Sequence, residues 1–108
     1  MISLEASRKL RVIKTDQVIS SACFPLKEGE VLDLDNAFIC LKQEFTYKEV
    51  RKNDAFNQII LKVDGCTINI TYKGKLKFFS LLPTRELERL CYDLWADVFK
   101  KNIVKSAL

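Results

Sequence analysis

A chain of 108 residues with 48% apolar and 30% charged residues has the size and balance of one globular domain, not of a disordered segment. A domain of that length buries a core large enough to fold without a metal or disulfide. The formal charge of +4 comes from 18 basic and 14 acidic residues, a mild excess that says little until its distribution is known.

No apolar run approaches the roughly 20 residues that span a bilayer, so no membrane partner is expected. The opening "MISLEASRKLRVIKTDQ" has no apolar signal core, which predicts an intracellular protein, nuclear or cytoplasmic, and not a secreted one. Cys23, Cys40, Cys66 and Cys91 are widely spaced, with no CxxC pair, and each sits in an apolar context. They read as reduced, buried core residues. There is no histidine, which removes the commonest general base and most zinc sites. No glycine-rich phosphate loop or nucleophile elbow is present. The expectation is therefore no enzyme, no catalytic residue, no metal, no cofactor and no small-molecule substrate.

In chain order, residues 1–16 read as an N-terminal arm or extra element, carrying a basic cluster of Arg8, Lys9, Arg11 and Lys14. "QVISSACFPL", 17–26, reads as a strand stopped by its proline. "LDLDNAFICLKQE" reads as a helix with Asp33 as N-cap and Leu34, Phe38 and Leu41 on one face. Residues 45–54 read as a charged connection. Residues 55–63 and 66–72 read as two strands joined by Asp64-Gly65, a strong hairpin signal. Lys73-Gly74-Lys75 turns the chain into a last strand, 76–82. Pro83 closes it, Thr84 is a natural N-cap, and a long helix follows with Leu87, Leu90, Cys91, Leu94, Val98 and Phe99 as its apolar stripe. The domain is placed at 17–104, with 105–108 as a tail.

This order predicts an α+β fold: a curved antiparallel sheet with two helices on one face, β-α-β-β-β-α. Period-2 alternation then puts Ile59, Leu61, Val63, Ile68, Ile70, Leu76 and Phe78 under the helices. The open face receives Phe56, Gln58, Ile60, Lys62, Asn69, Thr71, Lys73, Lys75, Lys77 and Phe79. Residues 48–77 hold seven basic residues against three acidic ones, an excess equal to that of the whole chain. Cations suit phosphates, and amides or flat side chains suit bases. The plain alternative is that lysine and threonine occupy the wet side of any half-exposed sheet.

The order and several local signals resemble one structural repeat of the TATA-binding protein family. "LDLDNAF" is similar to that family's leucine-aspartate-leucine helix start, "FNQIILKV" to its second strand, and "INITYKGKLKFF" to its hairpin with a Gly-Lys turn. The resemblance covers residues 17–102. It implies contact with the DNA minor groove through the concave sheet face, with phenylalanine wedges kinking the duplex. On that basis Phe56 takes a wedge position, Lys62 lies near phosphates, and Lys75 is the lysine of the turn. Thr71 stands where the second wedge is expected, and Ile19 where the family carries a base-reading asparagine. Lys77 and Phe79 stand where small residues or threonine are expected.

The expected function is a DNA-binding domain in transcription or a related DNA transaction, on AT-rich or non-specific DNA. Phe56, Gln58, Lys62, Asn69, Thr71, Lys73, Lys75, Lys77 and Phe79 form its interface. One repeat is half a saddle, so a homodimer or a second chain of the same kind is the expected partner. The alternatives are a protein-interaction or assembly module, with Trp95 and Phe99 at the helix edge as partner residues, or an accessory domain of a larger nucleic-acid enzyme, as in some ribonucleases H and DNA glycosylases.

Overall fold

The computed structural model describes residues 10–44 and 47–106. In chain order they form β1 (Ile13–Lys14), β2 (Ile19–Cys23), β3 (Glu30–Leu32), α1 (Leu34–Lys42), β4 (Glu49–Asn53), β5 (Gln58–Val63), β6 (Cys66–Thr71), β7 (Lys75–Ser80), α2 (Thr84–Asp97), a 3₁₀ turn at Phe99–Lys101, and β8 (Ile103–Lys105). Six strands make one curved antiparallel sheet in the order β1-β2-β7-β6-β5-β4. β3 and β8 pair as a separate ribbon.

Strand periodicity drives the packing. Ile59, Leu61, Ile68, Ile70, Leu76 and Phe78 are almost completely buried, and Val63 is half-buried. They alternate with solvent-facing residues along β5, β6 and β7, as the sequence predicts. The helices cover this face with Leu34, Ala37 and Leu41 from α1 and Leu87, Cys91 and Leu94 from α2. Asp33 caps α1 by accepting from the Asn36 amide at 3.1 Å.

Two turns set the register. The two-residue loop Asp64-Gly65 joins the paired Val63 and Cys66, with Gly65 at φ +76°. Gly74 adopts φ +83° in the next turn, and a Cβ there would lie 2.8 Å from Leu26 Cδ1. Only glycine fits both its backbone and its neighbour.

Several expectations need correction. The charged connection contains an edge strand, β4, which pairs Glu49 with Lys62 and Arg51 with Ile60. Between the two helices the order therefore holds four strands, not three. Charged residues are tolerated there because β4 has a neighbour on one side only. Positions 45 and 46 of that connection lie outside the described residues. Helix α2 begins with Thr84 as its first residue, and its N-cap is Pro83, with no side-chain hydrogen bond. It ends at Asp97 rather than running on. Val98 leaves helical geometry, and Asn102 is buried there, donating to the Val98 carbonyl at 2.7 Å and accepting from Asn36. The chain then returns as β8, so Lys105 belongs to a strand and not to a tail, while 107 and 108 lie outside the described residues.

Residues 10–16 belong to the packed unit: Leu10 and Val12 are buried, and Ile13 and Lys14 pair with Ser21 and Ser20. The expected arm is thus an added element from Leu10 onward; Arg8 and Lys9 of its basic cluster lie outside the described residues. Cys66 and Cys91 are buried and Cys40 is half-buried, but Cys23 is exposed, because it falls on the outward parity of β2. Among the described residues, no helix is long and apolar enough to cross a membrane.

Burial pushes the Cys91 thiol from its ordinary 9.0 up to about 12. Burial also pushes Tyr47 from 10.0 up to about 12, aided by the charge of Glu44. Both groups are neutral acids in the fold, and both ionise more readily once unfolded. Their stabilisation is complete below the unfolded pKa and is lost as pH rises toward the folded one. Urea midpoints are expected to stay level up to about pH 8.5 and to fall above it, by at most about 1.4 kcal/mol per pH unit per group. Cys91→Ala should flatten that fall; a midpoint that stays level to about pH 11 contradicts the assignment.

Candidate nucleic-acid interface

The face of the sheet opposite the helices is organised by cross-strand register into three transverse rows. One row runs Ile19, Phe79, Thr67, Lys62, Glu49. The next runs Ile13, Ser21, Lys77, Asn69, Ile60, Arg51. The third places Cys23 opposite Lys75 on one side and Thr71 opposite Gln58 and Gln58 opposite Asn53 on the other. The Thr71 hydroxyl closes this row by accepting from the Lys75 amide at 3.2 Å. Directly opposed side chains have Cβ atoms about 5 Å apart, so each row is a line of neighbours.

Seven of the nine expected interface residues lie on this face, in β5, β6 and β7, while Lys73 and Phe56 lie in turns beside it. Lys75, Lys77 and Phe79 are exposed along β7, and Lys62 is exposed on β5. Gln58, Asn69 and Thr71 are half-buried between them. Lys73 lies in the turn before β7, its ammonium 5.8 Å from the centroid of the Tyr72 ring. Phe56 lies in the turn between β4 and β5 and is 71% exposed, against 39% for Phe79. The two phenylalanines sit at opposite ends of the face, because β5 and β7 run the same way on either side of β6. A concavity of about 480 Å³ opens between β2, β7, β6 and β5, lined by Ser21, Cys23, Gln58, Asn69, Thr71, Lys75 and Lys77.

The cations divide into two groups. Lys62 lies 3.8 Å and Arg51 3.3 Å from the Glu49 carboxylate, so they share one counter-charge. Lys48 pairs with Asp64 at 2.6 Å, and that hydrogen bond raises its pKa above the ordinary value. Lys52 pairs with Asp35 and Asp54, which likewise raise its pKa. By contrast, among the described residues no carboxylate lies within 4 Å of Lys73, Lys75 or Lys77. Helix α2, on the far side, carries two arginines against four carboxylates and is followed by Lys100 and Lys101 in the 3₁₀ turn.

Beyond Ile19, the contributions of β2 and β4 to this face were not expected from the sequence. Ser21, Cys23 and Arg51 all belong to this face. Val50 is the one apolar residue of β4, so no polar–apolar alternation marks this strand in the sequence.

Trp95 and Phe99 do not form a partner surface together. Phe99 is fully buried and stacks on Phe24 at 5.1 Å, and Trp95 is half-buried against the same ring at 5.3 Å. The three rings anchor the end of α2 to the chain after β2. A second concavity, lined by Leu10, Arg85, Glu86, Glu88, Arg89 and Tyr92, has mixed charge, and Glu88 there accepts from the Val12 amide at 3.0 Å. Among the described residues, no three potential ligands from histidine, cysteine, aspartate and glutamate gather to hold a metal.

Comparison with family models, with curated proteins and with solved structures returned no match to this chain.

Glu49, the single carboxylate of the face among the described residues, makes a direct test of its electrostatics. Glu49→Gln leaves Lys62 and Arg51 without their shared counter-charge, and the variant is expected to elute later than the parent from a heparin column. Elution at the same salt or earlier would show that these cations do not face the polyanion.

Proposed function

We propose that this domain binds nucleic acid through the open face of its sheet and performs no chemistry on it. The observation that carries the reading is the division of charge. Lys73, Lys75 and Lys77 have no carboxylate within 4 Å among the described residues, while the other basic residues of the middle segment, Lys48, Arg51, Lys52 and Lys62, are all paired. Other cations among the described residues, such as Lys27, Lys42 and Lys100, are likewise unpaired, and what sets this group apart is its alignment along β7 beside the half-buried amides. Cations left uncompensated beside half-buried amides and hydroxyls match phosphates beside base edges.

The contacts follow from the rows. Lys75 and Lys77 engage phosphates, with Lys73 at the end of their line. Gln58, Asn69 and Thr71 lie where base edges would come within reach, and the exposed ring of Phe79 meets a sugar or base. Phe56 contacts the same ligand at the other end of the face. Lys62 adds less, because Glu49 competes for it.

Two helices on one face of an antiparallel sheet, with the other face open, support the resemblance to a single TATA-binding-protein-like repeat. The added strand β4 and the β3–β8 ribbon depart from the expected order. On this reading the ligand is DNA and the setting is transcription or a related DNA transaction. A homodimer or a second chain of the same kind completes the surface. An assembly module is the second reading, favoured by the exposed apolar side chains Ile13, Phe79 and Leu81 near one edge of the sheet.

Fluorescence anisotropy with labelled oligonucleotides across a salt series separates these readings. Three phosphate-engaging lysines predict a slope of log K against log salt of about −2.7 on a duplex and about −2.1 on a single strand. The variant Lys73→Glu/Lys75→Glu/Lys77→Glu is expected to lose binding while keeping its fold, since all three side chains are exposed. Binding that is indifferent to salt and to these changes, and lost with Phe79→Ala, would support the assembly reading instead.

A further inference from the structure

We propose that the form of nucleic acid this face takes is a single strand, its backbone following β7 and its bases lying across β6 and β5. This rests on the reading of the sheet face as a nucleic-acid surface, and it departs from the duplex that the family resemblance implies.

The first argument is the number of cation lines. Alternate residues on a strand stand about 6.7 Å apart, so Lys75 and Lys77 make one line along β7, which Lys73 extends into the turn. A duplex presents two phosphate backbones across a groove, and a protein lying over it needs compensation for both. Among the described residues, the only other cations on the face, Lys62 and Arg51, lie on β5 and β4, and both share Glu49. A second backbone placed there would meet a carboxylate already holding its cations. One uncompensated line matches one backbone.

The second argument is what lies beside that line. Gln58 and Asn69 are half-buried in the concavity of about 480 Å³ next to Lys75 and Lys77. A side-chain amide offers both donors and an acceptor, as the Watson–Crick edge of a base does. In a duplex that edge is already paired; in a single strand it is free to enter a hollow of this kind. The third argument is the ring of Phe79, at the end of the lysine line and partly exposed. An unstacked base gains a stacking surface there, which a base inside a duplex already has.

The test uses the full chain and labelled oligonucleotides of about 12 nucleotides, within the span one domain of this kind covers. The arms are a mixed-sequence DNA strand, the same sequence as RNA, and the DNA duplex, each at several salt concentrations. The expected result is that a single strand binds at least about tenfold tighter than the duplex at equal salt, with a slope of about −2. Tighter RNA binding assigns the natural strand to RNA, through a contact to the 2′-hydroxyl, and equal or tighter DNA binding assigns it to DNA; both uphold the proposal. Gln58→Ala/Asn69→Ala should weaken single-strand binding without changing the salt slope, because it removes base contacts and no cation. A duplex bound as tightly as either strand overturns the single-strand inference but leaves the sheet face as a nucleic-acid surface. Failure of all three ligands to bind at low salt overturns both.

Discussion

Which residues reach the open face of the sheet follows from one packing constraint. The sheet buries Ile59, Leu61, Ile68, Ile70, Leu76 and Phe78 under its helices, and a strand has a side-chain period of two. Slipping any of these strands by one residue would put lysine and asparagine into the core and isoleucine into water. The register is therefore fixed by burial, and with it the opposite face. Lys62, Asn69, Lys75, Lys77 and Phe79 point outward because their neighbours must point inward. Gly65 and Gly74 hold the two turns that keep β5, β6 and β7 in step.

That constraint explains why the face is polar, but not how its charge is arranged. A solvated sheet needs charges somewhere, and pairing them is the ordinary outcome at an edge, as β4 does with Glu49, Arg51 and the facing Lys62. β7 is not an edge. It lies between β2 and β6, and it carries two exposed lysines beside a hollow with no carboxylate within 4 Å among the described residues. Helix α2, on the far side of the core, carries four carboxylates against two arginines and is followed by Lys100 and Lys101.

Much of this was legible from the residues. Strong alternation and an Asp-Gly turn identified β5 and β6, Asp33 identified the start of α1, and the two faces of β5, β6 and β7 were assigned correctly by parity. Three features were not decided by the sequence alone. β4 hides in a run of charges because an edge strand tolerates them. Helix α2 stops at Asp97, where buried Asn102 bonds to the Val98 carbonyl and accepts from Asn36, the latter a tertiary contact with no local signature. Phe99 was readable both in the apolar stripe and as a partner residue at the helix edge, and its stacking on Phe24, far away in sequence, decides for the stripe. The pairing of Lys62 and Arg51 with Glu49 also depends on β4, so the division of the cations could not be seen before the fold.

Amide chemical-shift mapping by NMR, with an oligonucleotide titrated into labelled protein, most directly tests whether the sheet face is the binding surface. The account predicts that perturbed resonances gather at Gln58, Asn69, Thr71, Lys73, Lys75, Lys77 and Phe79, while the exposed residues of α2 between Glu86 and Asp93 stay unchanged. Perturbations centred on α2, or none at a salt concentration where three lysines should hold phosphate, would contradict it.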